Sequence, residues 1–415
     1  MGMSDHHNHD RGVIRDLARQ LAEIAAKPQE QAKVSLWKEF NDLSPQRPMV
    51  LIFPEGAWRE VPLKQECRQS DLQGLERHLR ARIYGHAVLD DDNVVEPVHY
   101  VPIRIRGADF GLEAHRTEAT SKHGAAHFEP IIKEEDDFFR LARQPEVEVD
   151  WDATHRTVER LEELFDGHLR VELSSPPVAN QHALIDAFAT WRGLDNLMLD
   201  MIDRPDWLHR CLQFLTDGRI RLALDLEAAG ALRLNNRSHY CGSGGTGFTN
   251  ELPQPDYTAP SARPRDMWGF STTQIFSEVS PAMHEDFALR YERQFLAMFG
   301  LNAYGCCEAL HHKMDHVEKI ANLRRISMSP WVDVAAAAER VGGRYIFSRK
   351  PNPAMLASVT WDEDAVRRSI RDDLAASRGC VVELIMKDTH TCNGQPERLA
   401  EWVRIARQEV DAFVG

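Results

Sequence analysis

The chain has 415 residues, which exceeds most single-core domains except the (β/α) barrel, whose one core spans roughly 250 to 400 residues. Its 43% hydrophobic content is ordinary for a globular protein, and no apolar run reaches the ~20 residues of a membrane span. The net charge of −14 argues against nucleic acid as a partner, because phosphates require a basic surface.

The first residues, MGMSDHHNHDRG, contain charged and polar side chains but no apolar stretch. We therefore expect a disordered tip there and no secretory signal. The 7 cysteines are scattered and odd in number. Together these features predict a cytoplasmic protein with reduced thiols that are available for metal binding or catalysis.

Short runs rich in Val, Ile and Leu alternate with longer segments of helical period, which predicts a parallel α/β fold. The predicted strands cover residues 49–53, 99–105, 169–173, 231–235, 301–304, 325–328, 344–347 and 381–386. The predicted helices cover residues 70–83, 154–165, 206–229, 283–299, 332–341, 362–378 and 395–413. This order predicts a (β/α)8 TIM barrel over residues 45–415, with an N-terminal tail and helix over residues 1–44.

Two long polar stretches, residues 106–127 and 236–264, interrupt this alternation, and loops of such length are usually binding loops or lids. The second stretch contains CGSGGTG, which lacks the closing Gly-Lys-Ser/Thr of a phosphate-binding loop. The acidic runs at residues 90–92 and 133–137 are predicted to be solvated surface.

Residues that follow the strands of a barrel point into its active-site mouth. The strand at 301–304 is followed by Cys306, Cys307 and Glu308, and thiolate with carboxylate or imidazole suits zinc. At most one of the two cysteines would be a ligand, because successive side chains of an extended chain point to opposite sides. A cysteine that is simply a small buried hydrophobe is the alternative interpretation.

Five stretches resemble the uroporphyrinogen decarboxylase superfamily, and in particular its methyltransferase-like branch: DMWGFSTTQIFSEVSPAMHEDF, YGCCEALH, LRRISMSPWVD, FSRKPNP and KDTHT. The resemblance runs from about residue 45 to the C-terminus and implies a (β/α)8 barrel. The paired arginines of the decarboxylase branch are replaced by FPEGAWR, which counts against porphyrinogen chemistry. The branch implies an O-demethylase that moves a methyl group from a small methoxylated compound to a corrinoid (cobalamin) on a separate protein.

The resemblance also implies a zinc site. In the ether-cleaving members an acidic residue stands 27 residues before a cysteine, and Glu278 and Cys306 fit that spacing. The final cysteine of the family pattern is missing. Either Cys392, His390 or Cys241 completes the shell, or the site holds a weaker or different metal, or none; Cys392 is our choice for the third ligand. Zn²⁺ held there would act as a Lewis acid on the ether oxygen.

The remaining candidate residues follow other strands or lie in the motifs. The predicted proton donors or orienting groups are Tyr304, His390 and Asp388. The predicted substrate-binding residues are Glu55, Trp58, Trp268, His239, Arg349 and Lys350. A metal-free decarboxylase of a carboxylated ring compound and a non-catalytic binding barrel are the alternative functions. The expected partners are the small substrate, the corrinoid protein and a second copy of the chain.

Overall fold

The computed structural model describes residues 3–117 and 127–415, in which strands and helices alternate. The strands are β1 (Met49–Ile52), β2 (Val98–Pro102), β3 (Ile105–Arg106), β4 (His115–Thr117), β5 (His127–Glu129), β6 (Glu148–Val149), β7 (Arg170–Ser174), β8 (Gln181–His182), β9 (Trp268–Ser271), β10 (Leu301–Tyr304), β11 (Leu323–Met328), β12 (Ile346–Arg349) and β13 (Val381–Met386). The α-helices are α1 (Met3–Ala25), α2 (Pro28–Asn41), α3 (Ser70–Tyr84), α4 (Glu135–Leu141), α5 (Trp151–Phe165), α6 (Leu184–Arg192), α7 (Leu194–Asp203), α8 (Pro205–Ala228), α9 (Pro281–His284), α10 (Arg290–Leu296), α11 (Met314–Val317), α12 (Val334–Val341), α13 (Ala354–Ala357), α14 (Glu363–Ala376) and α15 (Glu397–Val414).

The centre of the fold is a seven-stranded parallel sheet in the order β1-β13-β12-β11-β10-β9-β8. Strands β2 and β7 form a separate parallel pair. Strands β1, β10, β12 and β13 are buried along their whole length, as expected where helices cover a parallel sheet. The predicted parallel α/β fold is confirmed, whereas closure into an eight-stranded barrel and the domain boundary at residue 45 stay predictions.

The predicted strand at residues 231–235 is wrong, because this segment runs beside β9 without a backbone ladder. The side chain of Asn235 instead accepts a hydrogen bond from the backbone N–H of Trp268 (2.9 Å) and donates one to its carbonyl (2.9 Å). Strand β9, which begins at Trp268, was not among the predicted strands. A side-chain amide thus replaces strand pairing at this point.

The N-terminal tip is helical rather than disordered, since α1 begins at Met3. Ile14, Leu17 and Leu21 recur at helical spacing and are buried against residues of α3 and α5. Asp10, which is also buried, accepts hydrogen bonds from the backbone N–H groups of Arg68 and Gln69. Apolar burial and these hydrogen bonds together fix the helix on the domain.

The predicted loop at 106–127 is partly outside the described residues, since residues 118–126 are not described. The second predicted loop, 236–264, has an isolated bridge between Tyr240 and Thr246 and otherwise no strand. Over the described ranges, no helix is both long and apolar enough to cross a bilayer.

The acidic run at residues 90–92 is not solvated surface as predicted, because Asp91 and Asp92 are buried. Their carboxylates accept the backbone N–H groups of Ile52 (3.0 Å) and Val50 (2.7 Å) on the edge of β1 that faces away from β13. Asp92 also accepts two hydrogen bonds from Arg47, at 2.8 and 2.7 Å. These side chains therefore satisfy the donors that an exposed strand edge would leave unpaired.

We predict that Asp92→Asn lowers the free energy of unfolding by about 2 kcal/mol or more, because charge-assisted hydrogen bonds to Arg47 and Val50 are weakened. Asp90→Asn makes the same chemical change at an exposed neighbour and should stay within about 0.5 kcal/mol of the parent. Urea unfolding of both variants measures the difference. Equal stability of the two variants would contradict a structural role for the Asp92 carboxylate.

Candidate active site

Several residues at the carboxyl ends of the parallel strands have left-handed backbone conformations. Gly305 follows β10 at φ +87°, Glu55 follows β1 at φ +45° and Asp388 follows β13 at φ +57°. Non-glycine residues adopt this region at a cost and tend to do so at functional sites. These backbone conformations therefore indicate a functional site at the carboxyl end of the sheet.

The turn after β10 is held in place by the buried carboxylate of Glu308. It accepts hydrogen bonds from the backbone N–H of Cys306 (2.6 Å) and of Thr273 (2.7 Å) and from the hydroxyl of Thr272 (2.6 Å). Glu308 thus ties the turn to the end of β9. The sulfur of Cys306 is presented from a rigid backbone.

Cys306 lies among groups that stabilise its thiolate. Its sulfur is 3.7 Å from that of Cys307 and accepts a hydrogen bond from the Ser243 hydroxyl at 3.1 Å. The Cys307 thiol, the charge of Lys387 and the Ser243 hydroxyl lower the pKa of Cys306 to about 7, although burial and the Glu308 carboxylate act in the opposite direction. The pKa of Cys307 is raised, so this thiol keeps its proton and donates it.

Lys387, at the end of β13, supplies the positive charge. Its ammonium group donates hydrogen bonds to the hydroxyls of Ser243 and Tyr240, both at 3.3 Å. Burial lowers the pKa of Lys387, but the nearby Tyr240, Cys306 and Asp388 outweigh burial and raise it overall. The lysine therefore stays protonated beside the thiolate.

A second lysine, Lys350, follows β12 and is buried. Its amine donates hydrogen bonds to the carbonyl (3.1 Å) and the hydroxyl of Ser348. Burial and the charges of Lys387 and Arg325 lower the pKa of Lys350 to about 7, against the attraction of Glu383 and Cys306. Near neutral pH a large fraction of Lys350 is an uncharged amine, which can take up a proton.

The glycine-rich segment CGSGGTG brings Ser243 to this site. A side-chain carbon on Gly242 (φ +74°) would lie 2.6 Å from the methyl group of Ala303 in β10. One on Gly245 (φ +82°) would lie 2.7 Å from the guanidinium of Arg325 in β11. Glycine is required at both positions because the backbone is left-handed and the sheet is in close contact.

Tyr304, the last residue of β10, belongs to a buried hydrogen-bond network. Its hydroxyl donates to Glu292 (2.8 Å) and is 2.9 Å from His284 Nε2. Burial raises the pKa of Glu292 to about 7 and lowers that of His284 to about 3. The hydroxyl of Thr273 also donates to Glu292 (2.7 Å), which links this network to the turn of Glu308.

The other predicted site residues are divided between a cavity and the core. Glu55 and Trp58 line a cavity of about 460 Å³. His239 packs on Tyr100, another cavity residue, with ring centroids 4.3 Å apart. Trp268 is buried and donates to the Gly247 carbonyl.

Arg349 is buried and its guanidinium pairs with Asp373 of α14 at 2.8 Å. The loops that follow β1 and β13 are tied together. Glu60 accepts hydrogen bonds from the backbone N–H groups of Cys392 and Gly394, both at 2.9 Å, and a side chain on Gly56 would meet the carbonyl oxygen of His390 at 2.9 Å. His390 itself is exposed.

The structure does not bring the three predicted zinc ligands together. Glu278 is exposed, where the Ser277 hydroxyl donates to it at 3.3 Å. Cys392 is buried beside Glu60, in the loop after β13. Across residues 3–117 and 127–415, no group of three or more His, Cys, Asp or Glu side chains is placed to hold a metal ion. Zinc at Glu278, Cys306 and Cys392 therefore does not fit this arrangement.

No protein-family model and no curated protein matches the chain. One similar solved structure is a methyltransferase from Methanosarcina mazei, with 11% sequence identity and a TM-score of 0.48 over 92% of this chain and 98% of that chain. The resemblance to the uroporphyrinogen decarboxylase superfamily stays a prediction.

We predict that Cys306 reacts with iodoacetamide with a midpoint near pH 7, because the thiolate is the reactive form. Replacing Lys387 by methionine removes a positive charge and should move the midpoint to higher pH. Lys319→Met removes a lysine at an exposed position and should leave it unchanged. Mass spectrometry of the Cys306 peptide across pH gives the rates, and equal midpoints in both variants would contradict the role of Lys387.

Proposed function

We propose that this protein is a methyltransferase in which the Cys306 thiolate takes the methyl group of a small methoxylated compound. The observation that carries the proposal is the thiol of Cys306 beside the ammonium group of Lys387, at the carboxyl ends of β10 and β13. A thiolate is a strong nucleophile towards a methyl carbon. The resemblance of YGCCEALH and KDTHT to methyltransferase-like proteins supports the same reaction class.

In the proposed step, the sulfur of Cys306 forms a bond to the methyl carbon while the bond from that carbon to the ether oxygen breaks. The electron pair of the broken bond stays on the oxygen, which takes a proton from Lys387. Proton donation offsets the negative charge that would otherwise develop on a poor leaving group. Lys350, of which a large fraction is uncharged near neutral pH, is available to take up a proton in the next stage.

The methyl group must then leave Cys306 before another turnover. We infer that the acceptor is a corrinoid on a separate protein, as the resemblance implies. Tyr240 is exposed above Lys387, so this end of the sheet is open to a second protein.

A decarboxylase is the second candidate, and the two lysines favour it. Lys387 carries a positive charge that would attract a substrate carboxylate, and Lys350 offers an amine of pKa about 7 close by. Release of CO2 from a carboxylated ring compound, with no methyl transfer, would support this candidate over the first.

We predict that the protein, incubated with methoxylated compounds carrying ¹³C in the methyl group, gains one labelled methyl group on the Cys306 peptide. Cys306→Ser should abolish the label, because a serine hydroxyl is not ionised near neutral pH. Cys380→Ser changes a half-buried thiol whose sulfur lies 3.5 Å from the Ala338 carbonyl oxygen, and it should leave the labelling intact. Peptide mass spectrometry measures the label, and its persistence in Cys306→Ser would refute the proposed acceptor.

We also predict that Lys387→Met slows labelling by roughly 100-fold or more, the usual contribution of a general acid. The loss should be smaller for substrates with acidic leaving groups, such as nitrophenyl methyl ethers, because those groups depart without protonation. Single-turnover rates at several pH values measure both effects. An equal loss for all leaving groups would show that Lys387 does not act as the proton donor.

A further inference from the structure

Cys306 and Cys307 are neighbours in the chain and also in space, because their sulfur atoms lie 3.7 Å apart. An extended chain would send the two side chains to opposite sides. Here Gly305 has a left-handed backbone (φ +87°) and the chain bends at residues 306–308, so both thiols lie on the same side. Only a short approach of the two sulfurs is needed to form a disulfide bond of about 2.0 Å.

The rest of the cysteines are poorly suited to oxidation. They are Cys67, Cys211, Cys241, Cys380 and Cys392. Burial raises the pKa of each of these thiols, so they keep their protons near neutral pH. Cys306 and Cys307 are both half-buried, and the surroundings of Cys306 favour its thiolate, which is the form that oxidants attack. An oxidant is therefore expected to react first at Cys306.

The charges around the pair set the order in which the two sulfurs react. The hydrogen bond to Cys306 raises the pKa of Cys307, and burial and the negative charge of the Cys306 thiolate raise it further. The carboxylates of Asp388 and Glu308 act in the same direction. Oxidation of Cys306 to an uncharged sulfenic acid would remove the thiolate that holds the Cys307 proton. Cys307 would then ionise more readily and become the second nucleophile.

A disulfide between adjacent residues is also easily reduced. The peptide bond between Cys306 and Cys307 is trans, which fixes their Cα atoms ~3.8 Å apart. The Cα atoms of ordinary disulfides are about 4.4 to 6.8 Å apart, so the covalent chain itself strains this bond. Strained disulfides are the labile ones, and a small thiol would reverse the oxidation.

We propose that Cys306 and Cys307 form a peroxide-reactive dithiol, a modification site at which oxidation reversibly blocks the candidate active site. The Cys306 thiolate attacks one oxygen of the peroxide and the O–O bond breaks. The sulfur becomes a sulfenic acid, and the other oxygen leaves as hydroxide and takes a proton from solvent. The Cys307 sulfur then attacks the Cys306 sulfur, the S–O bond breaks, and the departing hydroxide combines with the Cys307 proton to give water. Two electrons thus pass to the peroxide, and a pair of glutathione molecules returns them.

The disulfide would remove the thiolate that Ser243 and Lys387 stabilise. Its effect on activity rests on the proposed function, because Cys306 is the methyl acceptor there. Formation of the bond requires only the two sulfurs and no methyl donor. The modification and the methyl transfer can therefore be measured separately on the same protein.

The test treats the reduced full-length protein with a small excess of hydrogen peroxide and measures, without reduction, the mass of the peptide that contains both cysteines. We expect this peptide to lose two hydrogen atoms and to regain them with glutathione, while methyl labelling is lost and restored in parallel. Free thiols at both positions, or a disulfide from Cys306 to any other cysteine, would overturn the proposal. A reversible Cys306–Cys307 disulfide in a protein that takes no methyl group even when reduced would support it and contradict the proposed function.

Variants assign the roles of the two sulfurs. In Cys307→Ser the second thiol is missing, so prolonged peroxide treatment should carry Cys306 to a sulfinic acid that glutathione does not reduce. Cys380→Ser removes a half-buried thiol elsewhere and should leave the reversible disulfide intact. Protection of Cys306 in folded Cys307→Ser as complete as in the parent would show that Cys307 is not the resolving thiol.

Cys306→Ser keeps the proposal testable if Cys307→Ser does not fold. Cys307 should then react with peroxide at least roughly tenfold more slowly than Cys306 does in the parent, because burial and two carboxylates keep it protonated. Oxidation of Cys307 at the parental rate would contradict the proposed order of the two steps.

Discussion

The arrangement of the site depends on a buried ion pair between Arg325 of β11 and Glu383 of β13, joined by a 2.9 Å hydrogen bond. Arg325 also donates to the Asn41 side chain of α2, while Ser348 of β12 donates to Glu383 and receives a hydrogen bond from Lys350. An unpaired charge buried here would strongly destabilise the fold. Strands β11, β12 and β13 must therefore be in register, so that Arg325, Ser348 and Glu383 meet. Helix α2 and the buried Lys350 thus belong to one connected polar network.

This network also explains the chemical contrast between the two lysines. Lys350 is buried, and burial lowers its pKa by more than the attraction of Glu383 raises it. At Lys387 the nearby Tyr240 and Asp388 raise the pKa and offset the effect of burial. One amine therefore holds its proton and the other releases it readily, and the sulfur of Cys306 interacts with both. Such separation of pKa values between neighbouring groups is the usual preparation for proton transfer.

Local patterns in the sequence were sufficient to predict much of the sheet. Residues 301–304 and 381–386 have the predicted bounds because both strands are short apolar runs buried on both faces. The same reasoning failed at residues 231–235, where an asparagine side chain takes the place of strand pairing. It failed again at Asp91 and Asp92, whose carboxylates accept hydrogen bonds from the unpaired edge of β1. In the sequence, two adjacent aspartates that do this look the same as two aspartates in an exposed loop. Composition does not show which backbone groups will need an acceptor.

The candidate site was predictable only in part. Cys306 and Lys387 both follow predicted strands, which points to the mouth of the sheet, but Ser243 is remote in sequence from both and no spacing rule joins it to them. The sequence did contain a signal for Ser243. It lies in CGSGGTG, and a glycine-rich segment without the phosphate-binding pattern indicates close backbone packing against another part of the fold. The spacing of Glu278 and Cys306 carried the zinc prediction, and spacing alone did not place the carboxylate beside the sulfur.

The hydrogen bonds from the loop after β13 to Glu60 have a mechanical consequence. Trp58 belongs to the loop after β1, and Lys387 begins the loop that Glu60 holds at Cys392 and Gly394. Because the two loops are clamped together, a molecule that shifts the indole also strains the segment carrying the ammonium group. Binding of a molecule in the cavity that Trp58 lines would therefore change the electrostatic field around the sulfur of Cys306, which that molecule does not contact.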